Sequence, residues 1–271
     1  MSIHAEGNGP SIAKTNESPW YQTAFGKGYL ELYSHRNLAE AETAVEMITD
    51  RLKLNPDHRL LDLCCGPGRH MIYLAQKVRR VVGLDLSEVL LGQARRYWGE
   101  FFEASQVDQP YAMLVRGTMN QLPFEADSFD RVVNLFTSFG YFENEDQNQA
   151  VMNEVGRVLV PGGMFVIDHI NRATMLDTLQ PKSERTLPDG RRLIETRLWD
   201  DHSQRVRNNV LCMNPDGSQR QWHESVRVYT PGQINLMLGR AGMRAVDHLG
   251  NYSGQSLDDG SSRMIIFARK G

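Results

Sequence analysis

The sequence predicts an α/β protein built on a doubly wound, mostly parallel seven-stranded sheet, with an antiparallel β insertion late in the chain. Three observations carry this reading. Between residues 58 and 170, short apolar runs alternate with residues at helical spacing, and strands joined through helices run parallel with both sheet faces covered. Glycine turns, Gly66-Pro67-Gly68 and Pro161-Gly162-Gly163, punctuate this pattern. After about residue 190 the β-prone runs follow one another with only turn residues between them, which favours antiparallel pairing.

Residues 1–19 are rich in Asn, Ser, Gly and Pro without a hydrophobic period, and are expected to form a flexible tail. Residues 20–57 are expected to form an N-terminal helical cover. Its first half is aromatic (Trp20, Tyr21, Phe25, Tyr29, Tyr33), and its second places Leu38, Ala41, Val45, Ile48 and Leu52 on one helix face. The main domain then runs over 58–271. Arg59–Cys64 reads as the first strand, entering the Gly66–Gly68 turn, with helical spacing at Met71, Leu74 and Ala75. Val81–Leu86 is the second, with Ser87 placed to cap the helix of Val89, Leu90 and Ala94.

Tyr111–Arg116 and Phe129–Phe136 follow as strands, then a helix over about Asp146–Leu159 and a fifth strand at Met164–Ile170. The insertion, at about 190–229, contains Leu193–Trp199, Val206–Met213 and Gln221–Tyr229. Thr230-Pro231 reads as a cap followed by proline at the first helical position, and Gly242 as the stop. Arg244–Leu249 and Arg263–Arg269 close the sheet.

Thirty basic and 33 acidic residues give a formal charge of −3, which lacks the basic footprint of non-specific phosphate-backbone binding. No apolar run approaches the roughly 20 residues of a membrane-spanning helix. The N-terminus is polar, without the apolar core of a secretory signal. Three cysteines, two of them adjacent at Cys64 and Cys65, make no disulfide framework and do not match zinc spacing. The expectation is a cytoplasmic protein with reduced thiols and no metal.

Open α/β sheets bind ligands outside the carboxyl ends of their strands. Here the first such end reads Asp62-Leu63-Cys64-Cys65-Gly66-Pro67-Gly68-Arg69-His70. Glycines at 66 and 68 let a ligand approach the backbone and permit unusual dihedrals. About one βαβ unit later Asp85 ends the second strand, where a carboxylate can accept both hydroxyls of a ribose. Met71 replaces the third glycine of the dinucleotide fingerprint, and no Gly-Lys-Ser/Thr is present. A nucleoside without a diphosphate, such as S-adenosylmethionine, fits better.

The segments LLDLCCGPGRH, VVGLDLS, LPFEADSFDRVVNLFTSFGYF and RVLVPGGMFVIDH, in this order over roughly residues 58–170, resemble the successive motifs of class I S-adenosylmethionine-dependent methyltransferases, which have a Rossmann-like fold. The resemblance implies S-adenosylmethionine as cofactor and S-adenosylhomocysteine as product. It implies that Asp62 and the Gly66–Gly68 loop face the methionine part, that Cys64 is a further cofactor contact, that Asp85 holds the ribose and that Leu86 packs on adenine. Met119 then touches the other adenine face, and Asn134, Leu135 and Phe136 line the pocket. Thr118 stands where family members often carry an acid that accepts from the adenine amino group; a hydroxyl can still accept. Taken singly, Leu86, Met119 and Phe136 read as core residues, Asp62 as a partner of loop amides and Asp85 as a helix cap.

In-line methyl transfer needs alignment and a water-poor pocket. Trp20, Tyr21, Phe25, Tyr29 and Tyr33 read either as an aromatic lid over the cofactor or as a staple fixing the first helix. Arg36 and Arg69 are candidates to pair with the cofactor carboxylate, or are surface ion pairs. His169, at the end of the fifth strand, is the candidate proton acceptor, and Tyr141 the candidate to orient the acceptor; the alternative reading of each is a wall residue. The insertion resembles the segment that small-molecule methyltransferases, including sugar N-methyltransferases, add beside the active site. The expected partner is therefore a small metabolite methylated on N or O, with neither membrane nor nucleic acid. Oligomeric state is not readable. Two alternatives stand beside this: a tRNA methyltransferase using Arg185, Arg191, Arg192 and Arg197, and a module that binds the cofactor without turnover.

Overall fold

Strand residues apolar on both sides of the pleat need cover on both faces, and the central sheet receives it. The computed structural model describes residues 19–32, 38–105 and 110–271. The expected tail lies, apart from Pro19, outside the described residues, as do Tyr33 and Arg36. Helices α1 (Trp20–Thr23), α2 (Lys27–Leu32) and α3 (Leu38–Leu52) precede the sheet. The alternating part runs β1 (Arg59–Leu63), α4 (Arg69–Leu74), β2 (Arg80–Asp85), α5 (Glu88–Ser105), β3 (Tyr111–Arg116), β4 (Phe129–Asn134), α6 (Glu145–Val158) and β5 (Leu159–Ile170). After it come α7 (Arg172–Thr178), β6 (Lys182–Thr186), β7 (Arg192–Asp200), β8 (Arg205–Met213), β9 (Gln219–Arg227), α8 (Pro231–Arg240), β10 (Met243–Leu249) and β11 (Arg263–Lys270).

The main sheet has seven strands in the order β10-β11-β5-β4-β1-β2-β3. β11 alone runs against its neighbours. Leu60 points into a core with Val45, Ile48 and Leu52 of α3 and Met71 of α4. Leu61 and Leu63 point the other way, into a core with Val151 and Val155 of α6 and Ile234 and Leu238 of α8. Each such side chain contributes about 1.5–3 kcal/mol on full burial, so the alternation fixes which face each strand residue takes. α8 starts at the cap foreseen at Thr230, which proves to be a full capping box: its side chain accepts from the Gln233 amide, and the Gln233 side chain accepts from the Thr230 amide.

The insertion is a separate antiparallel sheet in the order β6-β7-β8-β9. It begins earlier than the expected residue 190, at Lys182, because β6 is a polar edge strand (Lys-Ser-Glu-Arg-Thr) with no apolar signal to announce it. Its own core is small, built on Leu193, Val210 and Cys212. Buried Arg205 joins it to the rest of the chain. That guanidinium donates to the Ser225 hydroxyl (2.7 Å) and to the carbonyls of Phe142 (2.9 Å) and Gly140 (3.1 Å).

Candidate functional site

β1, β2 and β4 are adjacent and parallel, so their carboxyl ends open side by side. Past β1 the chain turns through Cys64 (φ 62°), Gly66 (φ 56°) and Gly68 (φ 82°). A Cβ at Gly68 would stand 3.0 Å from that of Ala94, so glycine here lets α4 approach α5. At the end of β2, Asp85 accepts from the Gly66 amide (2.9 Å) on one oxygen and from the Ser87 amide (2.8 Å) on the other. Burial pushes its carboxyl up, against the pull of these amides. A carboxylate oxygen has more than one lone pair, so both can accept again.

Asp62, one strand over, is 2% exposed, and its Oδ2 has no hydrogen-bond partner among the described residues. Burial first, and then the charge of Asp85, push its pKa up to about 7. The Asn134 amide donates to the Leu63 carbonyl at 2.9 Å and so ties the ends of β4 and β1 together.

β4 leaves through two consecutive left-handed residues, Phe136 (φ 61°) and Thr137 (φ 63°). Such conformations cost on the order of 1–3 kcal/mol each and persist only where neighbours enforce them. Buried Asp168 of β5 does the enforcing. Its Oδ2 accepts from the Phe136 amide (2.9 Å) and its carbonyl from the Thr137 amide (2.9 Å). Arg263 of β11 completes the clamp, donating to Asp168 Oδ1 at 2.7 Å and to the Thr137 hydroxyl at 2.9 Å. The Tyr252 hydroxyl donates to Asp168 Oδ2 at 2.6 Å. The guanidiniums of Arg69 and Arg263 lie 5.2 and 5.5 Å from the Phe136 ring centre.

Together these ends form the floor of a cavity of about 320 Å³. Its roof is aromatic. Tyr141 packs on Trp20 at 5.0 Å and stacks on Phe25 at 5.6 Å, with interplanar angles of 66° and 24°. Tyr21 meets Phe142 at 5.3 Å and Phe25 meets Tyr29 at 5.1 Å. The Ser87 hydroxyl donates to the Phe25 carbonyl at 2.6 Å, so the residue that caps α5 also holds the cover over the end of β2.

Tyr21, Cys64, Gly66, Arg69, Asp85, Leu86, Thr118, Met119, Leu135, Phe136 and Tyr141, all singled out from the sequence, line this cavity. Asp62 and Asn134 lie buried in the adjoining strands, and Gly68 serves helix packing. The Thr118 hydroxyl pairs with Asn120 Oδ1 at 2.6 Å. Cys64 rests 3.6 Å from the Met119 sulfur, and burial pushes its thiol up.

His169 is different. It is fully buried, outside the cavity lining, with its ring 6.3 Å from Phe139 and 6.2 Å from Tyr229. Burial pushes its pKa down to about 4, so at neutral pH it is uncharged and away from any acceptor in the cavity. The lining also includes charged residues to which the sequence reading gave no role, Arg263 and Glu224, and His70, which it placed in the glycine-loop segment without one. Arg263 had a signal, as a basic residue opening an otherwise apolar strand beside the sheet ends. Of the insertion arginines, Arg191 pairs with Asp189, Arg192 with Glu184 and Arg197 with Glu195, which spends their charge within the sheet.

Comparison with known proteins agrees with this geometry. The family model of the methyltransferase domain matches residues 60–163. An uncharacterized methyltransferase of Synechocystis sp. is 35% identical over 137 residues, covering 50% of this chain and 58% of that protein. A demethylmenaquinone methyltransferase of Bacillus cereus is 34% identical over 128 residues, covering 46% and 50%. The chain thus spans about half the length of the curated relatives it matches. Among solved structures, the CcbJ methyltransferase of Streptomyces caelestis superposes with a TM-score of 0.77 at 20% identity, over 92% of this chain and 99% of that one. The sugar N-methyltransferase KedS8 of Streptoalloteichus superposes with a TM-score of 0.66 at 18% identity, over 99% of both chains. At such identities the likeness is one of fold.

Proposed function

We propose that the protein transfers a methyl group from S-adenosylmethionine to an N or O atom of a small metabolite; the match of residues 60–163 to the methyltransferase-domain model and the fold shared with S-adenosylmethionine-dependent methyltransferases support this reading. One observation carries the reading: Asp85, at the tip of β2, faces a roofed cavity between a glycine loop and an aromatic cover. The residues present suit the cofactor. A Cβ at Gly66 would meet nothing nearer than a Leu90 methyl at 4.0 Å, so the loop leaves room for a ligand. Asp62 keeps a buried oxygen without a partner among the described residues, which a cationic group of the ligand would satisfy.

In this reading Asp85 accepts from the ribose hydroxyls, Leu86 and Met119 sandwich the adenine, and Thr118 accepts at its edge. Arg69 takes the carboxylate, with Asp62 and the turn from Cys64 to Gly68 around the methionine part. Bound there, the cofactor would supply a methyl carbon on a sulfonium, an electrophile that an acceptor lone pair can attack as the thioether leaves with the C–S electron pair. The chain's own part is positioning and exclusion of water: Tyr21, Trp20 and Phe25 close the roof, and Tyr141 orients the acceptor. A cavity of about 320 Å³ is sized for small molecules. Structural neighbours described as an amino pentose methyltransferase and a sugar N-methyltransferase support an acceptor of that kind. Free Cys64, Cys65 and Cys212 suit a reducing cytoplasm.

The test is twofold. Calorimetry should show uptake of S-adenosylmethionine, and isotope-labelled methyl should pass into an extract of small metabolites. Binding without transfer would leave a cofactor-binding module; transfer into tRNA would replace the small acceptor.

A further inference from the structure

We propose that the acceptor is a small acid, and that Arg263 anchors its carboxylate or phosphate group at the seam between floor and roof. This rests on the methyltransferase reading and narrows it. Arg263 opens β11, which in the sheet order stands four strands, or roughly 19 Å at the usual strand spacing, from the tip of β2 and its Asp85. Arg69, assigned above to the cofactor carboxylate, instead opens α4 directly after the glycine loop. Arg263 is thus a second cation, entering from the side of β5, where Thr137, Ser138 and Ile170 join the lining. Its partner Thr137 begins the segment that carries Tyr141 into the roof.

The clamp fixes how this guanidinium can bind. Nε donates to Asp168 and Nη2 to Thr137, while Nη1 makes no hydrogen bond among the described residues and the side chain, 21% exposed, lines the cavity. Asp168 is fully buried, lies outside the lining, and also accepts from the Phe136 amide and the Tyr252 hydroxyl. The cation therefore stands between that carboxylate and the cavity, with its planar fork already oriented for an oxyanion. His70 lines the same cavity, its ring 5.9 Å from that of Phe136, and its Nε2 has no partner among the described residues. Burial first, and then the charge of Arg69, push its pKa down to about 3, so it offers a neutral N–H donor and no second charge. The acids of the lining belong to other elements, Asp85 among loop amides at the tip of β2 and Glu224 on β9 with Trp222 and Asn208. A neutral acceptor would leave the Nη1 hydrogens without a charged acceptor in a roofed site, and an ammonium would meet like charge.

The experiment uses two acid probes, benzoate and phenyl phosphate, and benzamide as the neutral probe on the same ring. Each is added to protein saturated with S-adenosylhomocysteine, with binding read by ligand-observed NMR. The wild type should bind at least one acid about tenfold or more tighter than benzamide, and Arg263→Gln should cut that preference to below about threefold. Asp168→Asn keeps an acceptor for the clamp but removes the buried countercharge, so it should raise the preference at least about threefold above the wild type. A merely structural Arg263 gives no such gain, and this variant decides alone if Arg263→Gln does not fold. Equal binding of acids and benzamide by the wild type, no binding of any probe, a preference that survives Arg263→Gln, or no gain in Asp168→Asn would each overturn the proposal while the methyltransferase reading stands. An Arg263→Gln protein that loses S-adenosylhomocysteine but keeps its decarboxylated analogue, S-adenosyl-3-thiopropylamine, would give Arg263 to the cofactor carboxylate and overturn it too. Failure of the wild type to take up S-adenosylhomocysteine would bring down the methyltransferase reading, and this one with it.

Discussion

The two walls of the cavity are built by different means. The floor comes from the ends of parallel neighbours: strand register places Asp85 and the turn after β1, and Asp168 and Arg263 of the adjoining strands hold the exit of β4. The opposite wall is brought from afar: α1, the Tyr141 loop and β9 meet there through the side-chain bonds of Arg205 and of Ser87 to Phe25, and through one backbone bond from the Arg227 amide to the Gly140 carbonyl at 2.8 Å. A floor built into the central sheet can hold a constant ligand part. A wall added outside that sheet can change its lining without disturbing it. In the proposed reading cofactor binding falls on the floor and acceptor choice, apart from the anchor at Arg263, on the far wall.

The harshest way to break this division is Arg205→Ala. The side chain is 2% exposed, and its loss leaves the Phe142 carbonyl and the Ser225 hydroxyl without this buried donor. We expect about 3 kcal/mol of destabilisation and a fall of roughly 6–12 °C in Tm, measured by thermal unfolding. Below that transition the variant should still bind S-adenosylhomocysteine, because no bond of the floor runs through Arg205. Loss of cofactor binding by the folded variant would show that the two walls are one unit.

On the floor, Asp85→Ala should weaken S-adenosylmethionine binding at least tenfold, about 1.4 kcal/mol, since ribose hydroxyls, the Gly66 amide and the Ser87 amide all lose their acceptor. Asp85→Asn, which keeps one carbonyl acceptor, should fall between. Calorimetry that finds Asp85→Ala equal to the wild type would remove the ribose assignment.

The same division explains what was legible in the sequence. Floor residues sit in short contiguous stretches, each ending a strand whose apolar run is unmistakable, so Asp62, Gly66, Asp85 and Phe136 could be read in order. The far wall has no such stretch. Glu224 stands in Gln-Trp-His-Glu-Ser-Val, where alternation tells that two faces exist but not which one will meet Trp20. α7 and β6 were missed because both lack a buried apolar stripe. The left-handed pair Phe136-Thr137 was also invisible, since its support comes from Asp168 and Arg263, 32 and 126 positions away.

A finer probe of the floor is protonation. With its pKa pushed up to about 7 by burial and by Asp85, Asp62 is partly protonated at neutral pH in the free protein. A bound cation favours the carboxylate form, so cofactor binding should release a fraction of a proton. Affinity should then rise with pH between about 6 and 8. Titrations in buffers of different ionisation enthalpy measure the release directly, and Asp62→Asn should abolish it. A pH-independent affinity would mean that no positive group of the ligand comes near Asp62.

The smallest effect is expected at the residue that first suggested itself as a base. β5 is covered on both faces, so its alternation separates Asp168 from His169 without revealing which of them serves the cavity. Asp168 does, through the β4 exit, while His169 is enclosed with Phe139 and Tyr229. An imidazole pushed down to about 4 stays neutral from pH 5 upward, so it contributes no limb to a pH–rate profile in that range. His169→Gln should therefore keep turnover within about twofold and leave the profile's midpoints in place, whatever it costs in packing. A lost or shifted limb near pH 6–7 would mean that His169 reaches the acceptor during turnover, and that the far wall opens more deeply than its side-chain bonds imply.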